Sequence, residues 1–346
     1  MLSSFRYGLP KNIRDQINAA STGIPIARRA NCEWLTKTFS ARQSARNAFG
    51  QPICPADGST FPALERTTII DLIRPSFTDP TDNTVTCVLA GEGSGKCWVV
   101  AQSYLALAEK PITLFLMPSD VTEQANNEFL IWLIAALIRQ TGEQSAPEKV
   151  KRWQRKLARW RALSKGEIRI IVVLDGINQQ PTHHWAHRID RFASELAELG
   201  GRLIITTRAH YFHSVKSRIE SKVKEILVPE WIPPERNQLL KLTGIQFELL
   251  QESAALLLCN PRLLGIAITL YLKGELTDIA EFSVNRMMLE HIRMSERDSP
   301  EPQPTLAFCN SLKESATTIL ARVKNGEQDD LRVLEGDLSS VVDGRK

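Results

Sequence analysis

A glycine-rich loop between a buried strand and a helix constrains this chain more than any other feature of its sequence. The segment VTCVLAGEGSGKCWVV (85–100) combines an apolar strand, a run of small residues and the start of a helix. Small residues let successive backbone N–H groups converge on phosphate oxygens, and a lysine at the helix N-terminus adds positive charge. The spacing predicts a phosphate-binding loop formed by Gly91, Glu92, Gly93, Ser94, Gly95, Lys96, Cys97 and Trp98.

Two positions of this loop depart from the usual pattern. Ala90 stands six residues before Lys96, where a glycine is usual, and adds only a methyl group. Cys97 stands where Ser or Thr is usual, and Mg²⁺ prefers a hydroxyl oxygen to a neutral thiol. The sequence therefore favours phosphate binding more strongly than tight positioning of a metal.

Two other apolar segments end in residues that suit the phosphates of a nucleotide. IRIIVVLD ends at Asp175, whose carboxylate is predicted to hold the water shell of Mg²⁺, with Cys97 as the second metal-site candidate. LIITTR ends at Arg208, which we expect to face the γ-phosphate. The residues after Asp175 include amides but no carboxylate, and an amide cannot accept the proton of an attacking water. Any hydrolysis is therefore predicted to be slow.

The order of apolar segments predicts the fold class. Five strand-like runs alternate with helical stretches, which is typical of a parallel sheet covered on both faces; they are 84–90, 112–118, 168–175, 202–208 and 224–229. After Pro229 the remaining segments have helical periodicity, at 233–244, 247–272, 282–294 and 311–324. The prediction is an α/β fold with a five-stranded parallel P-loop sheet of order 5-1-4-3-2, flanked by helices and followed by an all-helical domain.

The same pattern suggests three parts of the chain. Residues 1–61 have weak periodicity, a short helix near 31–39 and no evident role. Residues 62–230 form the predicted nucleotide-binding domain, and residues 231–346 form the helical domain, with a lid-like or winged-helix-like arrangement.

Composition narrows the possible environments and partners. The 346 residues are 43% apolar with a net charge of +4, which suits globular domains and alone implies no nucleic-acid partner. The six cysteines are scattered, which favours reduced thiols and a cytoplasmic location. The apolar run FLIWLIAALI is too short to cross a membrane, and the N-terminus has no signal-peptide pattern. We expect no membrane partner.

A basic segment at 148–169 raises the alternative of nucleic-acid binding. Within it Val150, Trp153, Leu157 and Trp160 recur at helical spacing. This periodicity predicts that the aromatic side chains face the core and that the basic side chains face solvent or a partner. Nucleic-acid contact is the less favoured interpretation.

Taken together, these segments resemble the STAND class of signal-transduction NTPases, in particular NACHT-type and related bacterial members. The resemblance covers roughly residues 62–300 and depends on AGEGSGKCW, IIVVLDGIN and LIITTR. FPALERTTIIDLI resembles the family segment in which an arginine, here Arg66, lies near the nucleotide. LLLCNPRLLGIAITLYL resembles the helical-domain motif whose proline, here Pro261, packs near the adenine.

The resemblance implies an ATP/ADP switch that uses Mg²⁺, with an autoinhibited ADP form and an ATP form that self-associates or engages an effector or sensor subunit. Many bacterial members act in antiphage defence. Cys259-Asn260 replaces the glycine that the family often has before the proline, a further departure from its pattern. Two alternatives stay open: an AAA+ type DNA-associated ATPase, and a pseudo-NTPase scaffold that binds no nucleotide.

Overall fold

The computed structural model of the protein describes residues 22–56, 64–121, 128–163, 166–245, 252–274 and 317. The chain divides into two compact units, Met1–Glu230 and Trp231–Lys346. In its described part, the first unit consists of five strands and helices that cover them, and the second unit is helical.

The first unit alternates helices and strands along the chain. Its elements are α1 (Ile24–Phe39), α2 (Arg42–Phe49), α3 (Thr67–Ile73), α4 (Pro75–Thr78), β1 (Val85–Ala90), α5 (Lys96–Leu105), β2 (Ile112–Leu116), α6 (Phe129–Gln140), α7 (Pro147–Arg161), β3 (Ile170–Leu174), α8 (Trp185–Glu198), β4 (Gly201–Arg208), α9 (Ala209–Lys216) and β5 (Val223–Leu227). Short 3₁₀ turns span Pro118–Asp120 and Ile177–Gln179.

The five strands form one parallel sheet of order β2-β3-β4-β1-β5. Read from the other edge, this order is 5-1-4-3-2, so the predicted fold class and strand order are confirmed. Strands β1, β2 and β3 are buried along their whole length, as expected for apolar, β-branched strands that are covered on both faces.

Alternate residues of each strand enter two different cores, because successive side chains of a strand point to opposite faces. Cys87 and Leu89 of β1 belong to a core that also contains the large side chains of α6, α7, α8 and α9. Val88 and Ala90 belong to a second core, which contains side chains of α1, α2, α3 and α5. The phosphate-loop strand is thereby fixed from both sides.

Helices α1 and α2 form part of the layer on the second face of the sheet. The rings of Phe39 and Phe49 pack with Phe115 of β2, and the Phe39 and Phe115 centroids lie 5.1 Å apart. The expected short helix near 31–39 is in fact a helix of 16 residues. Its buried stripe contains Asn31 and Thr38, and these polar residues weaken the apolar periodicity from which a helix is predicted.

Two side-chain amides complete the outer edge of β2. Asn31 accepts a hydrogen bond from the Thr113 N–H (2.8 Å) and donates to the Thr113 carbonyl (3.1 Å). Gln140 makes the corresponding pair with Phe115, at 3.0 and 2.7 Å. Both amides are buried. They satisfy buried backbone groups that would otherwise have no hydrogen-bond partner at the sheet edge, and they join α1 and α6 to the sheet.

The basic helix α7 is oriented as its periodicity predicts. Trp153, Leu157 and Trp160 are buried in the first core, and Val150 packs against it. Lys156 lies over the Trp153 ring, with its Nζ atom 4.2 Å from the ring centroid. The aromatic residues are therefore structural.

The described part of the second unit contains α10 (Pro233–Leu242), α11 (Glu252–Leu257) and α12 (Pro261–Leu272). The predicted helical stretch 247–272 is divided where Asn260 caps α12, accepting hydrogen bonds from the backbone N–H groups of Arg262 and Leu263. The predicted segments 282–294 and 311–324 lie outside the described residues, apart from residue 317. No helix in the ranges that the structure describes is long and apolar enough to cross a membrane.

Replacing Asn31 by alanine tests the role of the side-chain amides at the sheet edge. The Asn31→Ala variant leaves the buried N–H and carbonyl of Thr113 without their partner, which we expect to cost roughly 2–4 kcal/mol. Hydrogen exchange in residues 112–117 should accelerate, and the thermal midpoint should fall. Asn47→Ala, on the exposed face of α2, is the matched control and should change neither. If hydrogen exchange and the thermal midpoint change equally in the two variants, Asn31 does not have this role.

Candidate nucleotide-binding site

The sheet brings the phosphate loop, Asp175 and Arg208 to the same edge. Ala90, the last residue of β1, is paired with Arg208, the last residue of β4. Asp175 directly follows Leu174 of β3, and its N–H donates to the Leu116 carbonyl at 2.8 Å. Since all strands are parallel, their carboxyl ends share one edge, which is where open α/β sheets bind ligands.

The loop between β1 and α5 is a tight turn that depends on its glycines. Gly93 and Gly95 have φ angles of 71° and 80°, in the left-handed region that favours glycine. Ser94 is buried and its hydroxyl donates to the Gly91 carbonyl at 3.2 Å, which closes the turn. Helix α5 begins at Lys96 directly after the loop, so its N-terminus adds backbone N–H groups and a positive dipole.

Lys96 folds back over the loop. Its Nζ atom donates to the carbonyls of Gly91 (2.7 Å) and Ala90 (3.5 Å). Burial lowers the pKa of the Lys96 ammonium, because desolvation disfavours the charged form, while the nearby Cys97 and Asp175 oppose this shift. An anion bound at the loop would stabilise the ammonium form. A phosphate therefore fits the electrostatics of this site.

Asp175 is the polar centre of the site, with only 1% of its surface exposed. Its Oδ1 atom accepts hydrogen bonds from the Cys97 thiol, at 2.6 Å, and from the Thr206 hydroxyl. Its Oδ2 atom accepts one from Gln51 Nε2, at 2.6 Å. The buried carboxylate is thus held by donors from the loop, from β4 and from the segment after α2, which fixes its orientation.

The Cys97 side chain takes the position of a hydroxyl but presents a protonated thiol. Burial raises the pKa of the Cys97 thiol well above its usual range, and the neighbouring Asp175 carboxylate raises it further. At neutral pH the thiol is therefore neutral and donates to Asp175. A neutral sulfur is a poor ligand for a hard ion such as Mg²⁺.

Gln51 and Thr206 are site residues that the sequence analysis missed. Gln51 lies in a loop segment of ordinary turn composition, and its Nε2 atom also lies 3.0 Å from Met117 Sδ. Thr206 lies in LIITTR, where only the arginine was assigned a role. Its hydroxyl also accepts a hydrogen bond from the Gly176 N–H, at 2.9 Å. The position of Thr206, two residues before Arg208 in the same strand, could have indicated it as a site residue. No sequence signal indicated Gln51.

Arg208 forms an ion pair with the phosphate loop itself. Its Nη2 atom lies 2.6 Å from Glu92 Oε2. Its backbone N–H and the Thr207 hydroxyl both donate to the Asn178 side-chain oxygen, at 3.3 Å each. The turn after Asp175 is thereby joined to the end of β4, and the guanidinium is directed towards the loop.

The other predicted binding residues lie in different places. Arg66 is buried before α3, and its guanidinium donates to the carbonyls of Pro229 (2.7 Å) and Glu230 (3.2 Å). Trp98 is part of the first turn of α5 and packs against the second core. Pro261 is the first residue of α12, in the second unit. Nucleotide contacts of these three residues stay predictions.

The side chains present suit a metal that arrives with a nucleotide better than an independent metal centre. Within the described ranges, no group of three or more His, Cys, Asp or Glu residues is placed to hold a metal ion. Magnesium in nucleotide sites is bound through few protein groups, with phosphates and waters as the other ligands. Asp175 fits such a site as a carboxylate beside the water shell, and Cys97 fits it poorly.

No protein-family model matches the sequence, and no curated protein is significantly similar to it. Among solved structures, the Orc1 protein of Aeropyrum pernix in complex with DNA is 15% identical, with a TM-score of 0.41 and 68% of each chain covered. A STAND protein with a tetratricopeptide repeat sensor from Pyrococcus horikoshii is 14% identical, with a TM-score of 0.38; the match covers 69% of this chain and 34% of that one. The replication initiator DnaA bound to AMPPCP and single-stranded DNA is 10% identical, with a TM-score of 0.36 and coverages of 78% and 95%. The chain thus spans about a third of the STAND protein's length.

The contact of Gln51 with Asp175 gives a stability prediction. Gln51→Leu removes one donor from a buried carboxylate, which should cost about 1–3 kcal/mol and lower the thermal midpoint of the nucleotide-free protein. Gln43→Leu, at an exposed position of α2, makes the same chemical change away from the site and should have little effect. If the two variants melt alike, Gln51 does not stabilise the carboxylate.

Proposed function

We propose that the chain is an ATP/ADP-binding conformational switch of the STAND type, with slow hydrolysis, in a bacterial signalling or defence protein. One observation carries this proposal. The glycine-rich loop with Lys96, the buried carboxylate of Asp175 and the guanidinium of Arg208 converge at the ends of three adjacent strands. A nucleoside triphosphate with its metal presents charges complementary to these groups.

Each group has a distinct role in the proposed site. The loop N–H groups and Lys96 would bind the β- and γ-phosphates, and Asp175 would hold Mg²⁺, an ion that would neutralise phosphate charge. Arg208 detects the γ-phosphate, because its guanidinium lies next to the loop. Arg66 and Pro261 are proposed to contact the nucleotide away from the reacting phosphate.

The turn after Asp175 supports slow hydrolysis. Its side chains Asn178, Gln179 and Gln180 are amides, which orient water but do not accept its proton. The Asn178 oxygen is already an acceptor for Thr207 and Arg208. A long-lived ATP state suits a switch, because a differential affinity of a few kcal/mol between two conformations is enough to change which one dominates.

The proposed output of the switch is a change in assembly. In the ATP form the chain would self-associate or bind a separate effector or sensor subunit. This part of the proposal comes from the sequence resemblance to STAND proteins.

A DNA-associated ATPase is the second candidate, and the basic face of α7 is the observation that favours it. Lys151 and Arg155 are exposed there and border a shallow surface depression. Other basic residues of the helix are paired with acids: Lys149 and Arg152 with Glu143, and Arg161 with Glu195 and Glu198. This pairing reduces the positive field of the helix.

Salt-sensitive DNA binding that is lost in Lys151→Ala/Arg155→Ala would favour this candidate.

The first prediction concerns the nucleotide itself. Denaturing the purified protein should release ADP or ATP, identified by liquid chromatography, and Lys96→Ala should lower nucleotide affinity more than tenfold, because a charged donor to phosphate is lost. Lys151→Ala, on the surface of α7, is the matched control and should retain nucleotide. An empty protein whose melting temperature is also unchanged by millimolar ATP with Mg²⁺ would contradict the proposal and favour the scaffold alternative.

The second prediction concerns the metal. Cys97→Thr supplies a hydroxyl where the thiol now donates to Asp175, and should tighten Mg²⁺-dependent ATP binding by roughly tenfold. Cys97→Val is the control, because valine has the shape of threonine but no hydroxyl. Calorimetric titrations of ATP with and without Mg²⁺ distinguish an effect on Mg²⁺-dependent binding from an effect on nucleotide binding itself. If ATP binding by Cys97→Thr depends on Mg²⁺ as it does in the wild type, the thiol of Cys97 is not what weakens metal binding.

A further inference from the structure

The ion pair between Arg208 and Glu92 joins the γ-phosphate candidate sensor to the loop that would hold the nucleotide. Sheet register creates this contact, because Ala90 and Arg208 are paired residues and the loop leaves β1 directly after Ala90. The Nη2 atom of Arg208 and the Oε2 atom of Glu92 are 2.6 Å apart, a charge-assisted hydrogen bond. The carboxylate is thus in direct contact with the guanidinium that a terminal phosphate would require.

The two partners differ in their exposure to solvent. The side chain of Arg208 is 16% exposed and belongs to the end of a central strand. The side chain of Glu92 is 51% exposed and lies in the loop. Glu92 is thus the partner that is more accessible to solvent. We therefore expect an incoming phosphate to displace the glutamate rather than the guanidinium.

We propose that Glu92 is a specificity-determining residue that competes with the γ-phosphate of ATP for Arg208 and so favours ADP at this site. A carboxylate and a terminal phosphate both present anionic oxygens to the same fork of guanidinium donors. ADP, which has no γ-phosphate, leaves the pair of Glu92 and Arg208 intact. ATP binds fully only when its γ-phosphate displaces Glu92. The inference depends on the nucleotide-binding function proposed above.

A purely structural ion pair makes a different prediction. A partly exposed pair contributes little to stability, and its loss should not distinguish two nucleotides. General repulsion between Glu92 and phosphates would also weaken ATP binding, but it would act whether or not Arg208 is present. An effect of Glu92 on ATP that disappears when Arg208 is removed is specific to competition for Arg208.

The test is a double-mutant cycle of Glu92→Gln and Arg208→Ala, in the full chain, with ADP and a slowly hydrolysed ATP analogue as ligands. Dissociation constants are measured by calorimetry for the four proteins. Glu92→Gln should lower the ratio of the ATP-analogue to the ADP dissociation constant by roughly three- to tenfold. In the Arg208→Ala background the same substitution should leave this ratio unchanged.

Glu109→Gln is the matched control, since it removes one negative charge at an exposed position after α5. It should leave the ratio of dissociation constants unaltered. An equal gain in affinity for both nucleotides in Glu92→Gln, no gain for either, or the same change of the ratio in the Arg208→Ala background overturns the competition. If the wild-type protein binds neither nucleotide, the proposed function itself fails and this inference fails with it. That result is recognised from the wild type alone, before any variant is compared.

Discussion

The hydrogen-bonded, buried carboxylate of Asp175 is the interaction on which the arrangement of the site depends. Its donors come from the phosphate loop, from the neighbouring strand and from the segment after α2. A buried carboxylate is tolerated only where such donors compensate for lost water. The same contacts therefore stabilise the charge and fix the relative positions of three segments that are far apart in sequence. A substitution in one of these segments is therefore expected to alter the positions of the other two.

The sheet and the position of the phosphate loop were predictable from local patterns. Five apolar runs with short helical stretches between them permit few topologies, and GEGSGK after such a run identifies the loop strand. The ends of the parallel strands then bring Asp175 and Arg208 to the edge where the loop lies. These conclusions needed only sequence spacing and the geometry of a parallel sheet.

The contribution of α1, α2 and the following loop was not predictable in this way. Asn31 is a polar residue on a buried helical stripe, and its purpose is evident only when the β2 backbone lies beside it. Gln51 contacts a carboxylate 124 residues later in the chain. Both cases depend on long-range pairing of polar groups, for which local periodicity carries no signal. The sequence left the role of residues 1–61 open; within their described part, Asn31 pairs with a sheet edge and Gln51 orients Asp175.

The two cations of the site are each engaged by the protein's own loop. Lys96 donates to loop carbonyls, and Arg208 is paired with the loop glutamate. A carbonyl is a neutral acceptor and yields readily to a phosphate, whereas the Glu92 carboxylate is itself an anion. In the proposed competition, the γ-phosphate of ATP has to displace this carboxylate, whereas ADP does not. Under the proposed competition, a single carboxylate on the phosphate loop is enough to make the site distinguish ATP from ADP.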